Sequence, residues 1–166
     1  MKEIKTTTIY NKENIKNFLE IYFFERIKTL RIILNILIII MIISFFINKD
    51  KKTIDYITFI FTLFGILEIN TSIIPRINYY KLTKQKNSII DTKISYIFKK
   101  NNFKLNKDEY IDYTSLKKVI ETKNSYYLFI NNSKSLIVDK SSLTKEEIST
   151  LTNIFKEQIS TYKYKK

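Results

Sequence analysis

The chain has 166 residues and a formal net charge of +13, with neither cysteine nor histidine and a single glycine, Gly65. These absences exclude disulfides, thiolate or Ser-His-Asp catalysis, zinc sites built on histidine or cysteine, and glycine-rich phosphate loops. We therefore expect a protein that is not an enzyme and that carries no cofactor.

The positive charge is almost entirely lysine, because only Arg26, Arg31 and Arg76 are arginines. Lysine together with abundant isoleucine and asparagine is also what an AT-rich coding sequence produces. Beyond that compositional effect, the charge suits a protein that lies against an anionic leaflet, where each nearby cation contributes around 1 kcal/mol. Membrane lipids are thus expected partners, and nucleic acid is not.

Residues 1–28 are predicted to form a short strand followed by an amphipathic helix. The β-branched residues 5–10 indicate the strand, and Asn11 can cap the helix. Apolar residues of the helix recur at steps of three and four, from Ile15 to Phe23. This helix either packs against the rest of the protein or lies in the membrane interface. The pattern leaves both interpretations open.

Two apolar stretches predict a two-helix transmembrane hairpin over residues 29–75, with spans at about residues 30–47 and 56–74. The second stretch has about the length needed to cross a hydrocarbon core of ~30 Å at 1.5 Å per residue. A pair of buried helices in a soluble domain is the alternative, but residues 36–43 lack the polar face that such helices keep. A strand of this composition would have no alternation to fix its register.

Both termini are predicted to face the cytoplasm. Two spans place both flanks on one side, and these flanks carry more lysine and arginine than the turn at residues 49–52. The flanking cations are also candidate contacts for anionic lipid: Arg26, Lys28, Arg31, Arg76, Lys81 and Lys84.

Three polar residues lie inside the predicted spans. Counted from the cytoplasmic boundary, Asn35, Glu68 and Asn70 lie within about 10 Å of it at 1.5 Å per residue, so we expect them to meet between the two helices. Glu68 would then be a neutral or bonded structural contact, or a titrating functional site. Pro75 is predicted to end the second helix.

Residues 91–162 are predicted to form a small antiparallel β meander capped by a C-terminal amphipathic helix. Asparagine tolerates left-handed backbone, so turns such as residues 106–108 and 131–133 need no glycine. The helix begins at Thr144, which forms a capping box with Glu147. Residues 163–166 are expected to be a frayed tail. The predicted strands are residues 94–98, 103–105, 110–113, 116–121, 126–130 and 135–138.

Four segments of this predicted domain follow one another in a characteristic order. They are a Tyr-led strand in residues 113–122, an aromatic strand in 125–130, an aliphatic strand ending in lysine in 136–140, and the capped helix from Thr144. In this order they resemble the YcxB-like family of bacterial membrane proteins. The resemblance implies an α+β membrane protein of the bacterial cytoplasmic (inner) membrane. It also implies a soluble domain similar to pleckstrin-homology-like (PH-like) modules, without catalytic residues.

The leading functional hypothesis is a membrane-anchored interaction module whose cytoplasmic PH-like domain binds a protein partner or anionic lipid. The alternative is a membrane protein that confers immunity, or self-protection, against a membrane-active peptide or toxin, by analogy of architecture alone. Stacking of nucleic acid on Tyr126, Tyr127 and Phe129 is a third possibility, but in a meander these aromatic residues are expected in the core. Another membrane or cytoplasmic protein is a candidate partner, and an oligomer of the chain is a further candidate assembly.

Overall fold

The computed structural model describes residues 3–50, 52–84, 89–106, 109–131 and 134–165, with only the backbone of Ile69. The predicted turns at residues 49–52, 106–108 and 131–133 each include residues outside these ranges. The chain divides into two compact units, which we call the β domain (Met1–Phe18 with Asn87–Lys166) and the helical unit (Leu19–Lys86). The N-terminal strand and the start of the first helix therefore belong with the C-terminal residues, although the sequence pattern groups residues 1–28 as one segment.

The first sheet of the β domain pairs a strand that precedes the helical unit in the chain with strands that follow it. All its strands are antiparallel, and β1 pairs with β2 over six residues, from Ile4 opposite Phe98 to Ile9 opposite Lys93. Asn106 follows β3 with φ 46°, the left-handed region that asparagine tolerates. The strands in spatial order are β1 (Ile4–Ile9), β2 (Lys93–Phe98), β3 (Asn102–Leu105) and β4 (Glu109–Asp112).

The second sheet shows that a single meander is too simple a description. A 3₁₀ turn at Tyr113–Ser115 interrupts the chain after β4, and the following strands form a sheet of their own. Its order is β7-β6-β5-β8, and β8 runs parallel to β5. The expectation of a frayed C-terminal tail is wrong for residues 163–164, because they pair within β8. The strands are β5 (Lys118–Glu121), β6 (Ser125–Phe129), β7 (Ser135–Asp139) and β8 (Tyr162–Tyr164).

The C-terminal helix, Lys145–Gln158, encloses the core of the β domain. Its predicted capping box is confirmed: Glu147 N donates to Thr144 Oγ1 at 3.2 Å, and Thr144 N donates to Glu147 Oε2 at 2.9 Å. Phe155 of this helix is fully buried, with its ring 5.2 Å from that of Tyr126 and 6.2 Å from that of Phe98. These edge-to-face contacts hold the helix across strands of both sheets.

Hydroxyl groups connect the edge strands β1 and β7. Thr8 Oγ1 accepts from Asp139 N at 2.9 Å, and Tyr10 OH accepts from Ile137 N at 3.0 Å. Tyr96 OH donates to Ile137 O at 2.8 Å. These bonds satisfy edge backbone groups that would otherwise be buried without partners. Burial raises the pKa of both Tyr10 and Tyr96.

The helical unit follows the apolar pattern of residues 29–75. It contains the later residues of α1 (Lys12–Arg26), then α2 (Lys28–Ile47), α3 (Thr53–Asn70) and α4 (Ile73–Thr83). The C-terminal helix of the β domain is α5. Pro75 does not end α3: it lies in the first turn of α4, where the missing N–H costs no hydrogen bond.

One helix in the described part of the chain, α2, is by itself long and apolar enough to cross a bilayer. Residues Thr53–Glu68 meet the same test only together with Ile73–Thr83, and the two segments are bent by 58°. The structure is thus an α+β fold with one candidate membrane helix, and with a second if the bent pair counts as one span.

Candidate functional site

A polar cluster joins the start of α2 to the end of α3. Asn70 Nδ2 donates to Asn35 Oδ1 at 3.0 Å, and Asn35 Nδ2 lies 3.4 Å from Asn70 Oδ1. Arg31 Nε also donates to Asn70 Oδ1, at 3.1 Å. Arg31 and Asn35 are one turn apart on α2, so both reach the same residue of α3. The exchanged amide bonds can fix the register of the two helices.

The opposite end of the helix pair is aromatic. The rings of Phe45 and Phe59 stack with centroids 4.3 Å apart, and Tyr56 lies 5.5 Å from Phe45. A cleft of about 290 Å³ lies beside this stack, lined by residues of both helices that include Ser44 and Asp55. The contact between α2 and α3 therefore has a polar end and an aromatic end.

Glu68 is not part of the polar cluster, contrary to its predicted meeting with Asn35 and Asn70. Its side chain is exposed, and within the described residues it forms neither a hydrogen bond nor an ion pair. Residues two positions apart in an α-helix are separated by about 200° around the axis. Glu68 therefore points away from α2 when Asn70 points toward it. Glu68 and Asn70 thus lie at similar depths along the helix axis but on different faces of α3.

The six candidate lipid-contacting cations divide into two groups. Arg31 is half-buried and engaged, with its guanidinium carbon 5.1 Å from the centre of the Phe24 ring in addition to its bond to Asn70. The remaining five side chains are exposed, and among the described residues none of them forms an ion pair with a carboxylate. These five are Arg26, Lys28, Arg76, Lys81 and Lys84.

The outer surface of the first sheet is the open face of the β domain. Strand alternation turns Ile4, Thr6 and Thr8 of β1 inward and leaves Lys5 and Thr7 exposed. The outward residues line up across the strands, since Lys5 lies opposite Ile97, Ile97 opposite Lys104, and Lys104 opposite Tyr110. We call this surface the basic face. Its outward residues include Lys5, Lys93, Ile97, Lys99, Lys104, Tyr110 and Asp112, with Glu3 at its border.

Tyr110 is the aromatic centre of the basic face and is 57% exposed. Lys104 Nζ lies 5.1 Å from the centre of its ring, and Lys99 Nζ lies 5.9 Å away. Lys99 also forms an ion pair with Glu3 at 3.2 Å. Lys5 and Lys104 have no carboxylate partner within the described ranges, so the face presents cations beside an exposed aromatic ring.

The outer surface of the second sheet is covered instead. Ile15 of α1 is buried, and the Phe18 ring lies 6.0 Å from Tyr127 and 6.3 Å from Phe129. Tyr126 points into the core between the sheets, where its pKa is raised to about 12, chiefly by burial. The three aromatic residues considered for nucleic-acid stacking are thus buried.

A buried ion pair between Lys140 and Glu121 was not anticipated from the sequence. The two residues follow and end different strands, and 19 residues separate them along the chain. Their positions in the sequence indicated only strand ends, so no local signal predicted the contact. No group of three or more histidine, cysteine, aspartate or glutamate side chains in the described residues is arranged to hold a metal ion.

The architecture now defines the class of protein: an α+β fold of two four-stranded sheets and a closing helix, with a largely apolar helical unit between its first and second strands. Residues 98–155 match the family model described as YcxB-like protein. The chain therefore contains a YcxB-like domain, and the resemblance seen in the sequence is confirmed. The match covers about a third of the chain, from the end of β2 into α5. No curated protein and no solved structure matches this chain significantly.

Proposed function

We propose that this protein is a membrane-anchored, non-enzymatic interaction module. In this proposal a two-span hairpin of α2 and α3 lies in the inner membrane of a bacterium, and both termini are cytoplasmic. The β domain binds an acidic segment of a protein partner through its basic face.

The pairing of β1 with β2 carries the membrane part of the proposal. These strands flank the helical unit in the chain and are hydrogen-bonded side by side over six residues. Residues 9 and 93 must therefore be on the same side of any membrane, so the chain between them crosses it an even number of times. If α2 crosses once, α3 has to cross back. The pairing thus supports two spans although only α2 qualifies alone.

The distribution of charge supports the cytoplasmic orientation. Six lysines and arginines near the ends of the proposed hairpin lie on its flanks, at the end of α1, the start of α2 and along α4, whereas its turn has three lysines. Loops rich in lysine and arginine remain on the cytoplasmic side. The β domain, which leaves the hairpin from these flanks, is then cytoplasmic as well.

The basic face supports a protein partner because it is the sheet surface that the β domain leaves uncovered. Four lysines point outward there, but Asp112 lies on the same face and Glu3 at its border. Attraction to an anionic leaflet follows the summed charge near the surface, at around 1 kcal/mol per cation, and the two carboxylates weaken it. A patterned mixture of both signs around an exposed tyrosine suits a complementary protein surface better.

The test is site-specific photo-crosslinking in intact cells, with a photoreactive residue at Tyr110 in the full chain. We expect a protein adduct that disappears when Lys5→Glu and Lys104→Glu are introduced together. The control reversal, Lys145→Glu at the exposed start of α5, should leave it unchanged. Adducts with lipid would overturn the protein-partner proposal in favour of lipid binding. A protein adduct that persists when Lys5→Glu and Lys104→Glu are combined would exclude the basic face as the binding surface.

A further inference from the structure

Helix α4 has a surface that neither the hairpin nor the β-domain proposal uses. It begins three residues after α3 ends, at a bend of 58°. The 18 residues of α3 rise about 27 Å at 1.5 Å per residue, close to the ~30 Å of a hydrocarbon core. The small mismatch costs only fractions of a kcal/mol per Å. In the proposed hairpin, α4 is therefore not needed to complete the crossing.

One face of α4 is apolar and uncovered. Ile73, Ile77 and Tyr80 recur at steps of four and three, and their exposed fractions are 43%, 48% and 59%. Pro75, on the opposite side of the helix, is buried. The described residues leave this stripe of an 11-residue helix uncovered. A contiguous exposed apolar surface indicates contact with a membrane or with another protein.

The cations of α4 are arranged around this stripe. At 100° per residue, Arg76 and Lys81 lie about 70° to either side of the stripe's centre. Lys84 continues the stripe, with its Nζ 4.4 Å from the centre of the Tyr80 ring. Residues 73–84 contain three cations and no acidic residue. Apolar residues on one face with lysine, arginine and tyrosine at its borders are typical of helices that lie in a membrane interface.

We propose that α4 is an interfacial helix that lies in the plane of the cytoplasmic leaflet. Its Ile73–Ile77–Tyr80 stripe inserts among the lipids, and Arg76, Lys81 and Lys84 contact the phosphates of anionic headgroups. Long side chains at the border of the stripe can reach the headgroups while their stems remain in apolar surroundings. This proposal rests on the membrane hairpin proposed above, because the hairpin brings α4 to the bilayer. It assigns the exposed cations of α4 to lipid and leaves the basic face for protein.

The absence of tryptophan from the chain provides a direct test. The full-length protein would carry one tryptophan at a time in lipid nanodiscs containing phosphatidylglycerol, with bromine at either shallow or deep positions of the acyl chains. Ile77→Trp reports on the stripe, Asn78→Trp on the far side of α4, and Ile40→Trp on the middle of α2. We expect shallow quenching for Ile77→Trp, markedly less for Asn78→Trp, and deep quenching for Ile40→Trp.

The three reporters distinguish the failure of this proposal from the failure of the hairpin. An unquenched Ile40→Trp would contradict membrane insertion itself. Deep quenching of Ile40→Trp with equal quenching at Ile77 and Asn78 would overturn the interfacial helix alone. Deep quenching of Ile77→Trp would make α4 a continuation of the span and also overturn it. Replacing Arg76, Lys81 and Lys84 together by glutamine should reduce the shallow quenching several-fold, and an unchanged value would contradict the headgroup contacts.

Discussion

Lys140 Nζ lies 2.5 Å from Glu121 Oε1, and the two side chains are only 8% and 9% exposed. Lys140 also donates to the carbonyl of Thr122 at 2.7 Å, and its ammonium group lies 4.3 Å from the centre of the Tyr126 ring. Thr152 Oγ1 donates to the second carboxylate oxygen of Glu121 at 3.3 Å. Both charges are thus compensated where β5, the residue after β7, and α5 come together.

Replacing one partner of this pair should destabilise the β domain strongly. Lys140→Met leaves the buried carboxylate of Glu121 without its counter-charge, which typically costs about 3–5 kcal/mol. The double change Lys140→Met with Glu121→Leu should recover most of that loss, because an apolar pair of similar volume has no charge to desolvate. Urea unfolding of the detergent-solubilised protein, followed by near-ultraviolet circular dichroism, measures both. Lys145→Met, at an exposed position, is the matched control. If Lys140→Met and Lys145→Met lowered the free energy of unfolding equally, the buried-charge argument would be contradicted.

Local patterns predicted the strands and the capped helix of the YcxB-like region well. Short apolar-rich runs bounded by asparagine, aspartate and lysine clusters are a property of each segment, and the Thr144 capping box requires only four consecutive residues. These signals do not depend on which other part of the chain covers the apolar face. The strand positions in residues 93–139 and the start of α5 were therefore predictable from the sequence.

Contacts between distant segments were not predictable in the same way. Tyr10 and Ile137 are separated by 127 residues, and the bond between them depends on β1 and β7 being edge strands of different sheets. The Tyr-Lys-Tyr of β8 resembles a solvated basic tail, because its pairing with β5 is parallel and has no hairpin turn to indicate it. The predicted contact of Glu68 with Asn35 and Asn70 was wrong for a different reason, because the prediction used the depth of Glu68 along the helix and ignored its angle around the axis.

The buried tyrosines should make stability fall at alkaline pH. Burial raises the pKa of Tyr10, Tyr96 and Tyr113, and it raises that of Tyr126 to about 12. Above the unfolded value of about 10, the folded state keeps protons that the unfolded state releases. The stabilisation is therefore complete below pH ~10 and is lost as the pH rises, with the window for Tyr126 between about 10 and 12.

Tyr126→Phe isolates one of these contributions. The free energy of unfolding of this variant should fall less steeply between pH 10 and 12, by up to ~1.4 kcal/mol per pH unit. The variant also loses the hydroxyl's bonds to Thr152 and to the carbonyl of Ile148, so the slope with pH and not the absolute stability is the informative quantity. Tyr110→Phe removes an exposed phenol and serves as control. Equal slopes for the two variants would contradict a role of Tyr126 burial in alkaline unfolding.

Two polar residues of α3, Glu68 and Asn70, should respond differently to replacement. Asn70→Leu removes the oxygen that accepts from Arg31 and Asn35 and the amide group that donates to Asn35. It should therefore weaken the pairing of α2 with α3 by about 0.6–2 kcal/mol. Glu68→Gln removes an exposed charge outside the cluster and should leave helix pairing unchanged. Unfolding of the full chain in mixed micelles by titration with sodium dodecyl sulfate compares them directly. A larger effect of Glu68→Gln on pairing would contradict the observed cluster, and a phenotype of Glu68→Gln in folded protein would identify a functional role.

Membrane topology can be tested with single cysteines, because the natural chain has none. Lys5→Cys precedes the helical unit, Asn48→Cys lies in its turn, and Lys123→Cys follows it; all three positions are exposed. The pairing of β1 with β2 requires Lys5→Cys and Lys123→Cys to lie on the same side of the membrane. We expect an impermeant thiol reagent to label Asn48→Cys in spheroplasts and the other two only in inverted vesicles. The reverse pattern would overturn the cytoplasmic orientation while preserving two spans. Labelling of all three positions from one side would exclude the hairpin, and labelling of Lys5→Cys and Lys123→Cys from opposite sides would contradict the strand pairing itself.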